Sequence, residues 1–166
     1  MPRDPQNGAL ADIVPVILAG GAGRRLWPLS TTMRPKPFLK GPGGQSFLQK
    51  TVERTTGLQP PFIVCQARHR ALVTQQVRES AQIILEPEGR GTAPALAVAA
   101  HFLARQGDPL VLVMPSDHQI RRPEAFREAV SMGVSAARQG WLVMFGGKPS
   151  RPSSHYGLII AVDSFA

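Results

Sequence analysis

Three glycines follow the first apolar segment of the chain, in an arrangement typical of phosphate-binding turns. Gly20, Gly21 and Gly23 come directly after the apolar run at 13–18. Glycine lets the backbone approach a ligand closely and direct its N–H groups at phosphate oxygens, because no Cβ stands in the way. We therefore expect this turn to hold phosphate.

Positive charge surrounds the same turn. No acidic residue occurs between Asp12 and Glu53. Six basic residues lie in that interval: Arg24, Arg25, Arg34, Lys36, Lys40 and Lys50. The chain carries a formal net charge of +8. Because positive charge is concentrated around a turn and not in a tail, it favours a small anionic partner. A basic nucleic-acid binder stays as an alternative, although aromatic residues make up only 6% of the chain and leave few stacking platforms.

Two familiar phosphate-binding motifs do not fit the turn. A dinucleotide fingerprint requires another glycine where this sequence has Leu26, and an acidic residue at the ribose distance. A Walker A loop ends in Gly-Lys-Ser or Gly-Lys-Thr, but Gly23 is followed by two arginines. The turn belongs to neither class.

The elements that must position this turn alternate along the chain. Apolar runs predict strands at 13–18, 61–65, 82–85, 109–114 and 141–145, and a further strand at 155–162. Helical spacing predicts helices at 45–55, 69–80, 93–105 and 123–139, the last ending at Gly140. The alternation predicts an α/β fold of the Rossmann-like, three-layer α/β/α type, with a mostly parallel sheet that binds ligands at the carboxyl ends of its strands.

Size and composition indicate one soluble globular domain. The 166 residues are 43% hydrophobic and 18% charged, which is too apolar for a disordered chain. We expect residues 1–11 to form a disordered tail and residues 12–166 to form one domain. Cys65 is the only cysteine, so we interpret it as a core residue and expect a reducing cytoplasm. No apolar run reaches membrane-spanning length, so we expect neither secretion nor a membrane partner.

The glycine turn and its surroundings resemble the signature of sugar nucleotidyltransferases. That signature is Leu-Ala-Gly-Gly-x-Gly-x-Arg-Leu-x-Pro-Leu followed by Pro-Lys, and it matches residues 18–29 and 35–36. The resemblance implies that Arg25 holds the departing pyrophosphate and Lys36 contacts phosphates near the reacting centre. It also implies that Leu18, Ala19 and the three glycines bind the nucleotide. Cations suit an in-line displacement, because negative charge must be neutralised on the attacking and leaving oxygens.

A second segment, residues 86–95, resembles Glu-Pro-x-x-Arg-Asn-Thr-Ala-Pro-Ala of mannose-1-phosphate guanylyltransferases, which points to guanine as the base. The resemblance implies that Glu86, Arg90 and Thr92 contact the nucleotide. Thr92 also suits the cap of the following helix, and Pro94 suits its first turn. Gly91 stands where the family has asparagine.

A third segment, residues 114–120, resembles the family's Pro-Ala/Ser-Asp-His-x-Ile. Mg²⁺ takes one or two carboxylates plus phosphate oxygens, so Asp117 at a strand end is our predicted metal ligand. Helix capping or turn formation is the alternative for such an aspartate. We assign His118 a structural hydrogen bond, because a sugar phosphate is already an anion and the reaction needs no protein nucleophile.

The last matching stretch, residues 149–159, resembles Pro-Thr-x-Pro-x-Thr-Gly-Tyr-Gly-Tyr-Ile. The resemblance implies that Tyr156 and Gly157 line the sugar pocket. Two positions depart from the family pattern, since His155 replaces a glycine and Leu158 replaces a tyrosine.

Four segments in the family's order make residues 13–162 similar to the N-terminal part of the mannose-1-phosphate guanylyltransferase domain. The resemblance implies transfer from GTP to mannose 1-phosphate with Mg²⁺ as cofactor, and neither a nucleic-acid nor a membrane partner; it leaves a homo-oligomer open. The family's domain continues further and there supplies most sugar contacts and a second metal-binding aspartate. We therefore expect this chain to bind nucleotide with little turnover. A transferase for another base or sugar, and a truncated non-catalytic homologue that binds nucleotide or a partner, remain alternatives.

Overall fold

One parallel sheet organises the chain in the computed structural model, which describes residues 10–21 and 26–147. Its strands are β1 (Val14–Leu18), β2 (Phe62–Gln66), β3 (Gln82–Glu86) and β4 (Val111–Pro115). They lie in the order β3-β2-β1-β4, and all three pairings are parallel. The predicted parallel sheet is confirmed, and the carboxyl ends of the four strands share one edge.

Helices cover both faces of this sheet. They are α1 (Phe47–Glu53), α2 (Arg70–Val77), α3 (Thr92–Ala104) and α4 (Pro123–Arg138). Helices α1, α2 and α4 contribute Leu48, Val73 and Val130 to a core cluster on one face. Helix α3 contributes Ala95, Ala99 and Leu103 to a second cluster on the other face. The three-layer α/β/α arrangement is therefore confirmed.

Helix α1 begins with a capping box. The Ser46 hydroxyl accepts a hydrogen bond from the Gln49 backbone N–H at 3.1 Å, and the Gln49 side chain accepts one from the Ser46 N–H at 2.9 Å. The Ser46 hydroxyl also donates to Gln76 of α2 at 2.6 Å. One buried serine thus starts α1 and joins it to α2.

Cys65 lies in the core, as the sequence predicts. It is fully buried in the cluster beneath α1, α2 and α4. Burial, with the charge of Glu86 as the smaller cause, raises the pKa of the Cys65 thiol to about 11. A neutral thiol is a weak nucleophile, so Cys65 acts as a small apolar side chain.

The predicted strand at 141–145 is wrong. These residues form no strand, and the Trp141 N–H bonds to the Ala136 carbonyl at the end of α4 at 3.2 Å. Gly140 ends the helix with φ +90°, as predicted. Val143 and Phe145 then pack against Gly133 of α4, where a Cβ would meet both side chains at 3.1 Å. The rest of the segment is exposed, with Trp141, Leu142 and Met144 at 67%, 99% and 77% exposure, so burial does not account for its apolar character.

Packing at the amino end includes residues that the sequence assigned to the tail. Leu10 is buried in the core, and the Ala11 carbonyl accepts a hydrogen bond from Gln59 at 2.6 Å. Residues 1–9 and the predicted strand at 155–162 lie outside the described residues. None of the helices in the described part of the chain is long and apolar enough to cross a membrane.

Candidate active site

A cavity of about 480 Å³ opens at the carboxyl edge of the sheet, on the side covered by α3. On that side, β1, β2 and β3 end in Leu18, Gln66 and Glu86, which line the cavity. Each follows by two residues a side chain that belongs to or packs against the second core cluster: Val16, Val64 and Ile84. The glycine turn, the segment around Lys36 and the start of α3 complete the wall. The cavity therefore lies where parallel α/β sheets bind their ligands.

The exit from β1 is held on both sides. The Leu18 carbonyl accepts hydrogen bonds from the Ser116 N–H at 3.1 Å and from the Ser116 hydroxyl at 2.6 Å. The Ala19 N–H donates to the Val64 carbonyl at 2.8 Å. Ala19 is fully buried and its N–H is used in the sheet, and its predicted nucleotide contact stays a prediction. Leu18 does line the cavity, as predicted.

Gly20 and Gly21 both line the cavity. A Cβ at Gly20 would lie 3.0 Å from Glu86 Oε2, closer than side chains normally approach, whereas a Cβ at Gly21 would meet nothing within 4 Å. Close approach of a carboxylate thus explains glycine at position 20. The predicted contributions of Gly23 and Arg25 lie outside the described residues.

A rigid segment positions Lys36. Lys36 is the first residue of a short 3-10 helix, Lys36–Phe38, and it lies between Pro35 and Pro37. Phe38, the last residue of this helix, is fully buried. The Phe38 carbonyl accepts a hydrogen bond from Gln76 at 3.3 Å, and the Thr32 carbonyl lies 2.9 Å from Nε2 of buried His69. With its neighbours fixed on both sides, Lys36 presents its ammonium to the cavity from a defined position.

Lys36 and Asp117 form an ion pair at the mouth of the cavity. Lys36 Nζ lies 3.0 Å from Asp117 Oδ2, although the two residues are 81 positions apart in the sequence. Their side chains are 31% and 37% exposed, and Lys36 Nζ also lies 5.4 Å from the centre of the Phe47 ring. The structure thus brings the predicted phosphate cation and the predicted metal ligand into direct contact.

Glu86 is the buried acidic group of the cavity. It ends β3, is 7% exposed, and has no cation within 4.0 Å among the described residues. Burial raises the pKa of Glu86 above its ordinary value. A carboxylate kept from water and from counterions is available to accept hydrogen bonds from a ligand.

In the segment before α3, one predicted side chain lies outside the cavity and the helix cap is not the predicted residue. Arg90 is turned to solvent, with its side chain 77% exposed beside Glu88 at 3.7 Å, so it does not line the cavity. Thr92 lines the cavity, but it is the first residue of α3 and not its cap. Gly91 is the cap residue, and it makes no side-chain bond because it has no side chain. Pro94 lies in the first turn, as predicted.

Asp117 fits a magnesium ion that phosphate oxygens also hold. It lines the cavity and keeps Oδ1 outside the pair with Lys36. No group of three His, Cys, Asp or Glu side chains within 10–21 and 26–147 could enclose a metal alone. Mg²⁺ commonly takes one carboxylate and completes its shell with water and substrate phosphates. The His118 backbone carbonyl accepts a hydrogen bond from Arg54 at 3.1 Å, and the structural hydrogen bond predicted for His118 stays a prediction for its side chain.

Two cavity residues were missed by sequence reasoning. Ser116 ties the ends of β1 and β4 together, and Gln66 ends β2 beside Glu86 of β3 in the parallel register. A polar residue that closes an apolar run was the available signal, because such residues face the ligand edge of a parallel sheet. The predicted sugar contacts of Tyr156 and Gly157 lie outside the described residues.

The fold and the cavity define an α/β protein whose ligand site is built from the turn after its first strand and the ends of its neighbours. The family model described as "Nucleotidyl transferase" matches residues 14–165. The chain belongs to the nucleotidyl transferase family.

Curated relatives agree with this membership. The chain is 46% identical over 154 residues to "Mannose-1-phosphate guanylyltransferase" from Escherichia coli, covering 89% of this chain and 33% of that protein. It is 46% identical over 159 residues to "Xanthan biosynthesis protein XanB" from Xanthomonas campestris, covering 92% of this chain and 34% of that protein. The chain thus spans about a third of the length of these relatives.

A solved structure shares the fold. The crystal structure titled "mannose-1-phosphate geranyltransferase" from Thermus thermophilus superposes with a TM-score of 0.81 at 34% identity. The match covers 87% of this chain and 44% of that one. A structure titled "mannose-6-phosphate isomerase" from Helicobacter pylori has a TM-score of 0.70 at 26% identity, over 86% of this chain and 53% of that one.

Proposed function

We propose that this chain is the nucleotide-binding part of an enzyme that transfers GMP from GTP to mannose 1-phosphate, giving GDP-mannose and pyrophosphate. The names of several relatives support the reaction, including the Escherichia coli protein described above. The single buried thiol suits a reducing cytoplasm as the compartment.

The observation that carries the proposal is the meeting of Lys36 with Asp117 beside the glycine turn. A cation and a carboxylate at one cavity mouth are the two groups that a magnesium triphosphate requires from a protein. Gly20 and Gly21 bring the backbone close to the same space, and the start of α3 adds the positive end of a helix dipole. These features place a cation, a carboxylate suited to Mg²⁺, close backbone and a helix start around one cavity, which supports a magnesium triphosphate as its ligand.

Glu86 supports guanine as the base. An ionised carboxylate accepts hydrogen bonds and donates none. Guanine carries two neighbouring donors, N1–H and the 2-amino group, whereas the other common bases do not offer such a pair on one edge. A buried carboxylate with no cation within 4.0 Å among the described residues would therefore select guanine, and other bases would make fewer hydrogen bonds to it.

In the reaction, a phosphate oxygen of mannose 1-phosphate attacks the α-phosphorus of GTP. The bond from that phosphorus to the bridging oxygen breaks, and pyrophosphate leaves with its electron pair. Lys36 would neutralise charge on the phosphates, and Arg25 would hold the departing pyrophosphate. Asp117 would hold Mg²⁺ together with phosphate oxygens, and the ion supplies charge neutralisation when bound.

Competition among nucleotides tests this proposal. With Mg²⁺ and a fluorescent GTP analogue bound to the chain, GTP should displace the analogue at lower concentration than ATP, UTP or dTTP. Equal displacement by all four would remove guanine from the proposal and leave a transferase of another base. Release of pyrophosphate from GTP and mannose 1-phosphate should be slow with the 166-residue chain, and a full rate would contradict our expectation of little turnover.

A non-catalytic nucleotide-binding homologue is the second candidate. One observation favours it: Asp117 has no second and third metal-binding side chain within the described ranges. This candidate predicts GTP binding without pyrophosphate release, even when the chain is extended to the full length of its relatives. Release of pyrophosphate by the extended protein would exclude it.

A further inference from the structure

Gln66 occupies an unusual place for an uncharged polar side chain. It ends β2, two residues after the core residue Val64, and it lies opposite Glu86 in the parallel register. It is only 7% exposed and lines the cavity. A buried amide in such a position is costly unless it is bonded, so its partner is informative.

That partner is the glycine turn. The Gln66 side-chain amide donates to the Gly20 carbonyl at 2.9 Å. A peptide unit is planar and trans, so the Gly20 carbonyl and the Gly21 N–H belong to one rigid plane and point in opposite directions. By holding the carbonyl, Gln66 fixes the direction of the Gly21 N–H in the turn proposed to hold phosphate.

The same amide also packs against the segment before α3. A Cβ at Gly89 would overlap the Gln66 side-chain nitrogen, and the other two atoms nearest to it are also Gln66 atoms. The backbone of Gly89 is not in the left-handed region, so the backbone does not require glycine at this position. The contact with Gln66 does, because a side chain would occupy the same space. Gln66 therefore touches both the turn proposed to hold phosphate and the segment that leads from Glu86 to Thr92.

We propose that Gln66 is a positioning residue that couples the phosphate turn to the base-binding segment of the site. This inference rests on the proposed function, since it assigns Gln66 to the same nucleotide site. Gln66 acts through Gly20 and Gly89 and not through the reacting atoms. Because its hydrogen bond goes to Gly20 of the phosphate turn, loss of that bond should act mainly on the phosphate part of the ligand.

Gln66→Met tests the hydrogen bond, because methionine has a similar length and volume but no donor. Titration calorimetry with magnesium GTP should show affinity reduced about tenfold relative to the unchanged chain, while guanosine affinity changes by less than about threefold. A purely structural role would weaken both ligands equally, so the ratio of the two affinities is the decisive readout. Equal losses for both ligands, or no loss for GTP, would overturn the proposal.

Gly89→Ala tests the contact, with Gly147→Ala as a matched control because a Cβ there would meet nothing within 4 Å. Gly89→Ala should weaken GTP binding about as much as Gln66→Ala does. In the double variant the overlap is absent, so Gly89→Ala should cause no further loss. Losses that multiply would show that the two residues act independently and would overturn the coupling.

The two proposals fail in different ways. If the unchanged chain binds no magnesium nucleotide, the proposed function and the role of Gln66 fail together. If the unchanged chain binds GTP and Gln66→Met binds it equally well, only the role of Gln66 fails. Thermal melting of each variant identifies loss of folding, and a variant that melts like the unchanged chain reports on binding alone.

Discussion

At the scale of residues, Lys36 and Asp117 neutralise each other while both are proposed to bind other ions. Each side chain is about a third exposed, and exposed ion pairs contribute only about 0–1 kcal/mol to folding stability. Phosphate oxygens and Mg²⁺ can therefore replace the pair at little cost. Without a ligand, the pair holds one positive and one negative charge side by side. A magnesium nucleotide offers phosphate oxygens to Lys36 and a metal ion to Asp117.

Lys36→Met separates stability from binding. We expect the free energy of unfolding to change by less than about 1 kcal/mol, because the lost pair is partly exposed. Affinity for magnesium GTP should fall roughly 10- to 100-fold, since a bond to a charged group is lost. Urea unfolding and calorimetry measure the two effects. A variant that is strongly destabilised but binds normally would make the pair structural.

Glu86→Gln should reveal the cost of a buried carboxylate. Burial raises the pKa of Glu86 in the folded state, so the folded chain holds this proton more tightly than the unfolded chain does. Stability associated with Glu86 is therefore present at pH below the unfolded pKa, and it is lost as the pH rises through the folded pKa. The gain in Tm from Glu86→Gln should be near zero at pH 4 and larger at pH 8. A gain that shrinks as the pH rises would contradict this explanation.

At the scale of elements, the start of α3 depends on a glycine for backbone reasons. Gly91 has φ +97° and ψ −176°, a region that side-chain-bearing residues rarely adopt. This conformation turns the chain into α3 so that Thr92, in the first turn, lines the cavity. The helix start can then direct its free N–H groups toward a ligand.

Gly91→Ala should therefore destabilise the chain by about 1–3 kcal/mol. Gly41→Ala is the control, because the nearest atom to its Cβ would be Lys50 Nζ at an ordinary 3.8 Å and its backbone is not left-handed. That control should leave stability unchanged or raise it by about 0.4–1 kcal/mol. The denaturant midpoints of the two variants are compared. Equal midpoints would show that a side chain at position 91 does not strain the backbone.

The elements also show what sequence patterns can and cannot predict. Apolar runs predicted β1 to β4 closely, although only β2 is buried at every position and β4 alternates between exposed and buried residues. The same signal failed at 141–145, where the N–H of Trp141 bonds to the end of α4 and no strand forms. An apolar run alone establishes neither a strand nor burial, since Trp141, Leu142 and Met144 of this run are exposed.

The site was predictable where a motif fixes both residue type and position. Lys36 and Asp117 were assigned to one site from separate segments, and the structure joins them at 3.0 Å. Arg90 was assigned in the same way but turns to solvent beside Glu88, because a motif does not fix the direction of a long side chain. Gln66 closes an apolar run, which was an available signal, but its contacts with Gly20 and Gly89 come from the packing of separate segments, which the sequence alone does not define.

At the scale of the whole molecule, the parallel sheet brings four chain segments to one edge. The turn after β1, the ends of β2 and β3, and the segment after β4 all contribute to the cavity. The net charge of +8 then favours the approach of anionic ligands. The central claim is that this edge binds a magnesium nucleoside triphosphate.

Calorimetric titration of the folded 166-residue chain with magnesium GTP tests that claim most directly. We predict saturable binding of one nucleotide per chain, and an affinity at least about tenfold lower for Arg25→Ala, since that guanidinium is proposed to hold phosphate. Absence of binding to the unchanged chain, or equal affinity of the two proteins, would contradict the account.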